Sequence, residues 1–139
     1  MQSISEIESE IIEEFELFDD WMDKYEHIID LGRSLAPIDE QFKIDSNLIK
    51  GCQSRVWVHA EKKGDNVYYT ADSDAIITKG IVALLVRVLS GQKAEDIAQA
   101  PLHFIEKIGL KEHLTPTRSN GLLSMIKQMK AYAQLITKS

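Results

Sequence analysis

Near the start of the chain, apolar residues recur at steps of three and four, at Ile4, Ile7, Ile11, Phe15 and Phe18. That is the period of an amphipathic helix. Ser3 and Glu6 stand at capping-box spacing, where each can satisfy an open amide of the first turn. Glu8, Glu10, Glu13, Glu14 and Glu16 are assigned to the opposite, solvated face. A second helix through Trp21, Tyr25, Ile28 and Ile29 is expected, capped by Asp19 or Asp20 and stopped before Pro37.

After the irregular stretch "PIDEQFKIDS" the period shortens to two. "SRVWVHAEKK" alternates Val56, Val58 and Ala60 with Trp57 and His59, and "NVYYTA" is rich in strand formers. With "GDN" between them as a turn, residues 54–72 read as an antiparallel hairpin. "NLIK" is a plausible third strand that feeds the loop ahead of the hairpin. "DSDAIITKGIVALLVRVLSG" then reads as a helix that is apolar nearly all round, hence buried and central. Ser73 or Asp74 would cap it and Gly91 would stop it. "KAEDIAQA" suggests a short helix, and "APLHFIEKIGL" another, with Pro101 at its start and Gly109 at its end. Thr115–Pro116 opens a last helix with Leu122, Met125, Ile126, Met129, Ala133 and Ile136 on one face. The expected fold is α+β: a small antiparallel sheet of about three strands covered by helices. Residues 1–139 are expected to form a single domain, with no repeat or linker.

Composition narrows the function. Hydrophobic residues are 44% and charged residues 27%, as in a globular chain. A net charge of −6 argues against a nucleic-acid binder, which needs a basic stripe, and against docking on an anionic membrane. The acidic start "MQSISEIESE" does not resemble a signal peptide, and no apolar run approaches a bilayer span. With a single cysteine and no export signal, the expected compartment is the reducing cytoplasm.

That cysteine, Cys52 in "NLIKGCQSRVWVHAE", is the chemical question of the chain. It is either a small buried apolar residue or a reactive thiol, and the residues alone leave both open. Gly51 suits a tight projecting loop, and Lys50, Gln53, Ser54 and Arg55 are polar or basic neighbours that would favour a thiolate. A hydrolase would need a histidine base and an orienting group. Nothing in the sequence ties His27, His59, His103 or His113 to Cys52. Metal sites use clustered Cys and His, and a disulfide oxidoreductase a resolving cysteine; this chain has no CxxC, HxxxH or second cysteine. One thiol can still attack a sulfur atom, hold it and give it up.

Three stretches carry a family resemblance: "GCQSRVW" at residues 51–57, "ADSDAIITKG" at 71–80 and "HLTPTRSNGL" at 113–122. In this order and at these spacings the chain resembles the SufE family of sulfur acceptors, whose fold is shared with IscU-type scaffolds. The resemblance implies an accessory protein, not a free-standing enzyme. Such a protein activates a SufS-type cysteine desulfurase and takes persulfide sulfur onto Cys52. It then passes that sulfur to the SUF scaffold complex that assembles iron–sulfur clusters. Pyridoxal phosphate would belong to the desulfurase, so no cofactor or metal is expected on this chain. Other readings are a paralogue serving a different desulfurase, a metal- or cluster-binding scaffold on the same fold, or an interaction module with an incidental thiol. The scaffolds carry three cysteines and this chain one.

The resemblance further implies that the loop Gly51, Cys52, Gln53, Ser54 rests against a hydrophobic cleft, sheltering the thiol or persulfide, and swings out on docking. Burial would then raise the thiol pKa, leaving Lys50 and Arg55 to matter only once the loop is out. Asp74 is a candidate for a helix cap or for polar support near the partner surface. Arg118, badly placed for the dipole of the last helix, is expected to be held by a carboxylate or by the cysteine loop. Gly121 costs its helix about 1 kcal/mol relative to alanine and implies close packing; Trp21 and Trp57 are expected in the core or cleft wall. A monomer or weak homodimer is expected.

Overall fold

The structure, a computed structural model, describes residues 2–138, with side chains for 2–136. Helix α1 spans Ile4–Glu16 and opens on the expected capping box: Ser3 Oγ accepts from the Glu6 amide at 3.1 Å, and Glu6 Oε1 accepts from the Ser3 amide at 3.2 Å. Ile4, Ile7, Ile11 and Phe15 are buried as their spacing requires. Helix α2, Trp21–Arg33, is capped by Asp20, which accepts from the Asp23 amide. Two short 3-10 turns, Glu40–Phe42 and Asp45–Asn47, occupy the irregular stretch.

Strands β1, Val56–Lys63, and β2, Asn66–Ser73, form the hairpin, in the register Val56↔Ser73 to Lys63↔Asn66. The two-residue turn places Gly64 at φ +63 in its first position, where a type II′ turn demands glycine. Val56, Val58, Val67, Tyr69 and Ala71 face inward. Behind them runs α3, Ile76–Leu89, the buried central helix. It packs backbone to backbone on α2: a Cβ on Gly80 would sit 2.1 Å from the Ile28 carbonyl oxygen, and one on Gly32 2.7 Å from the Gly80 nitrogen.

Beyond α3 the chain forms β3, Gln92–Lys93, then α4, Ala94–Gln99, α5, Phe104–Lys107, α6, Leu110–His113, and the long α7, Pro116–Lys138. Leu122, Met125, Met129 and Ala133 of α7 are buried, with Ile126 and Ile136 packed beside them. The fold is α+β, a three-stranded antiparallel sheet of order β1-β2-β3 with helices against it.

Four local expectations need correction. The third strand is Gln92–Lys93 paired with β2, not "NLIK". Leu48 makes only an isolated bridge to Trp57, because the chain turns away at Gly51, φ +89, to form the cysteine loop. Gly91, φ +85, instead returns the chain to the sheet, its amide donating to the Val67 carbonyl. Glu8 is not on a solvated face: it is 4% exposed, and its Oε2 accepts from the Phe104 amide at 3.1 Å. Neither Ser73 nor Asp74 is the cap residue of α3, since β2 runs through Ser73 and Ala75 takes that place. Pro101 does not start a helix; Leu102 adopts φ +54 and α5 begins at Phe104, on the amide that Glu8 holds. Gly109, φ +78, does end that short helix.

Candidate functional site

The cysteine loop is closed at its base by backbone bonds. On one side the Ile49 amide donates to the Val56 carbonyl at 2.9 Å. On the other, Asp74 and Ser73 hold both ends of the Arg55 residue. Asp74 Oδ1 accepts from the Arg55 amide at 3.0 Å, the Asp74 amide donates to the Arg55 carbonyl at 3.2 Å, and Ser73 Oγ donates to that carbonyl at 2.8 Å. Asp74 thus ties the end of β2 to the loop, a role its neighbours in sequence could not reveal. Asp72 nearby accepts from Lys43 at 3.0 Å and Lys79 at 3.3 Å. Burial would raise the Asp72 carboxyl, but Lys43, the Ser73 amide and Lys79 outweigh it and hold the group below the usual carboxylate range.

Above this base, Gly51 supplies the left-handed residue that folds the tip of the loop back onto α7. Cys52 is half-buried, and its Sγ donates to the Gly121 carbonyl at 3.6 Å. Gly121 is the reason the loop can come so close. A Cβ there would lie 3.4 Å from Sγ and 3.9 Å from the Cys52 Cα. The close packing implied by a glycine inside this helix is therefore packing against the thiol itself.

Beside Sγ lies a cavity of about 60 Å³. Gln53 and Ser54 of the loop, Thr78 and Ile81 of α3, and Thr117, Arg118 and Met125 of α7 line it. Burial pushes the Cys52 thiol above its ordinary pKa, so the docked thiol is protonated and a poor nucleophile at neutral pH. Arg118 is exposed, its amide is capped by Thr115 Oγ1, and its guanidinium has no ion-pair partner among the described residues. No carboxylate holds it; what it shares is the cavity with Cys52. Asp74 is exposed and is not part of the cavity lining.

The histidines are engaged elsewhere. His27 bonds Glu14 at 2.8 Å, His59 stacks on Phe42 with centroids 3.6 Å apart, and His113 stacks on Trp21 at 4.2 Å. His103 lies by the start of α5, at a separate cavity beside α1. No base stands next to the thiol among the described residues. Nor do three His, Cys, Asp or Glu side chains gather there as a metal ligand set. Trp57, half-buried, has the Lys43 ammonium over its ring at 5.6 Å. Sequence reasoning found Cys52, its loop and Arg118 but missed Thr78, Ile81, Thr117 and Met125 as parts of the site. Only Thr78 carries a local signal, as the one hydroxyl in a helix that is apolar but for Lys79 and Arg87.

Residues 9–133 match the SufE family, described as the Fe-S metabolism associated domain. The chain belongs to the SufE family. It is 41% identical over 139 aligned residues to SufE-like protein 1, chloroplastic/mitochondrial, of Arabidopsis thaliana, covering 96% of this chain but only 37% of that protein. An uncharacterized SufE-like protein of Rhizobium meliloti (strain 1021) is 37% identical over 130 residues, covering 90% of this chain and 93% of its own. One from Synechocystis is 38% identical over 125 residues, covering 90% and 79%. The fold matches the solution structure of a hypothetical protein from Thermus thermophilus, with a TM-score of 0.79, 21% identity, and coverage of 96% and 97%. Membership ties the chain to iron–sulfur metabolism. No helix among the described residues is long and apolar enough to cross a membrane.

Proposed function

We propose that this SufE-family chain accepts sulfur from a cysteine desulfurase, with Cys52 as its only covalent participant, and passes it on for iron–sulfur cluster assembly. The observation that carries the reading is the geometry of Cys52. A lone thiol sits on a glycine-turned loop, closed at its base, with its sulfur at a small cavity and no base beside it among the described residues. Such a thiol is badly built to activate water or a substrate carbonyl. It is well built to receive an atom that arrives already activated on a partner.

The transfer needs no oxidant. The Cys52 thiolate attacks the outer sulfur of a persulfide on the desulfurase; a bond from Sγ to that sulfur forms and the partner's sulfur–sulfur bond breaks. The electron pair leaves with the partner's thiolate. Delivery to the scaffold is the same displacement with Cys52 as the leaving group. Docked as seen here, the thiol is protonated and half-covered, so the loop must move for attack. A partner that binds the extended loop better than the docked one shifts that equilibrium. In the extended form Lys50 and Arg55, both exposed, lie beside the thiol in sequence and favour its thiolate. Pyridoxal phosphate remains the desulfurase's cofactor. The scaffold alternative would need further ligands, since Cys52 is the only cysteine.

Turnover of a matched desulfurase tests the reading. The wild-type chain should raise alanine production from free cysteine, and Cys52→Ser should not. Equal stimulation by both would mean the thiol does not carry the effect.

A further inference from the structure

The cavity beside Cys52 contains a polar group that the docked thiol does not use. Thr78 is only 6% exposed, yet its hydroxyl has no hydrogen-bond partner among the described residues. Hydroxyls in a helix commonly bond back to the carbonyl one turn earlier; Thr78 does not. No fully enclosed side-chain nitrogen or oxygen lacks a partner among the described residues. The Thr78 hydroxyl therefore faces open space, and the space Thr78 borders is the cavity at Sγ. Thr78 carries the one hydroxyl of α3, a helix otherwise built mainly of apolar residues such as Ile77, Ile81, Val82, Leu84 and Leu85.

We infer that the Thr78 hydroxyl is a hydrogen-bond donor to the outer sulfur of the Cys52 persulfide when the docked loop shelters that sulfur in this cavity. The inference rests on the acceptor reading and names a positioning residue for the cargo. Size permits it. The cavity of about 60 Å³ exceeds the ~10–15 Å³ that one water needs, and one additional sulfur fits. Chemistry favours it. In the unloaded form the Cys52 S–H donates to the Gly121 carbonyl. Once Sγ is bonded to a second sulfur it has no proton, and that bond is lost. The negative charge now sits on the outer sulfur, since a persulfide is a stronger acid than its parent thiol. A carbonyl oxygen repels that charge, whereas a hydroxyl can turn its proton toward it. Arg118 is the only charged side chain lining the cavity among the described residues, and it has the matching sign. Loading thus transfers the polar contact of Cys52 from the α7 backbone to the α3 side chain.

The test uses the whole chain, loaded chemically with inorganic polysulfide, so that no desulfurase is required. The Cys52 thiolate bonds to a terminal sulfur, the adjacent sulfur–sulfur bond breaks, and a polysulfide one sulfur shorter leaves with the electron pair. Intact mass confirms one added sulfur, and iodoacetamide alkylation across pH reads the midpoint at which the persulfide becomes anionic. Thr78→Val removes the donor at nearly constant shape and should raise that midpoint by about one pH unit, a tenfold change in acidity, the scale of one hydrogen bond to a charged group. Thr78→Ser, which keeps the hydroxyl, should stay near wild type. The unloaded thiol of Thr78→Val should be alkylated at the wild-type rate, because that thiol bonds Gly121. An unchanged midpoint in Thr78→Val would overturn the inference. So would equal shifts in both variants, or the same shift in the unloaded thiol, either of which would mark a packing effect. A Cys52 that loads from polysulfide but refuses sulfur from a desulfurase fails the acceptor reading, whereas loading without the shift fails this inference alone.

Discussion

Gly51→Ala asks whether the cysteine loop is held shut by a conformation that only glycine adopts cheaply. In the docked loop Gly51 has φ +89, a region that costs an L-residue about 1–2 kcal/mol. The added Cβ would also lie 2.7 Å from Ser124 Oγ, but that hydroxyl can rotate away, so backbone strain dominates. The strain vanishes when the loop leaves α7, which raises the open population. Against this, alanine has fewer open-chain conformations than glycine, an offset of about 0.4–1 kcal/mol. From the middle of each range the net is about 0.8 kcal/mol, an increase of about fourfold in the open fraction. Cys52 is the only cysteine, so its alkylation by iodoacetamide, followed by intact mass at fixed neutral pH, reports this opening without ambiguity. The rate should rise by the same factor. Gly64→Ala is the control: it also places alanine at positive φ, +63, with nothing within 4 Å of the new Cβ, but in the distant hairpin turn, and it should leave the rate unchanged. An unaltered or slower rate in Gly51→Ala would refute the idea that opening gates the thiol.

Three further expectations follow from the framework of the fold. Gly80→Ala forces a methyl to 2.1 Å from the Ile28 carbonyl and must separate α2 from α3; denaturant unfolding should show a loss of about 2–3 kcal/mol despite a helix-propensity gain of about 1 kcal/mol. Wild-type stability there would mean the helices do not meet backbone to backbone. Glu8→Ala leaves the buried Phe104 amide without its acceptor and should cost about 1–3 kcal/mol, whereas Glu8→Gln, which keeps a carbonyl, should cost clearly less; equal losses would contradict the capping role. Asp72 has a lowered folded pKa, so its contribution is present above the ordinary unfolded aspartate value and lost as pH falls through the folded one. Asp72→Asn should flatten the acid limb of a stability-versus-pH curve, and an unchanged limb would argue against the Lys43 and Lys79 pairing.

Elements written in local pattern are legible from sequence. The capping box of α1, the period-two hairpin, the apolar α3 and the Leu122–Met125–Met129 face of α7 each need only nearby residues to specify them, and each is present. The third strand is not legible, because two residues carry no period, and Gln92 pairs only because Gly91 delivers it to β2. Glu8 misleads through its chemistry. It stands four residues after Ile4 and three before Ile11, on the apolar stripe itself, and its charge hides what its position says. At the site, Cys52 stands out as a single thiol in a distinctive loop. Its surroundings do not, because Thr78, Thr117 and Arg118 come from two helices that meet the loop only in the folded chain. Asp74 reads as a polar residue near a helix start, but its partner, the Arg55 amide, lies across the hairpin.

In the proposed function Cys52 receives sulfur from a partner. Intact mass spectrometry after incubation with a matched cysteine desulfurase and free cysteine tests it most directly, with Cys52→Ser beside it and reductant added to half of each sample. One added sulfur atom is expected on the wild-type chain, absent from Cys52→Ser and removed by reductant. No added sulfur from a desulfurase shown to be active, or equal addition to the variant, would contradict it.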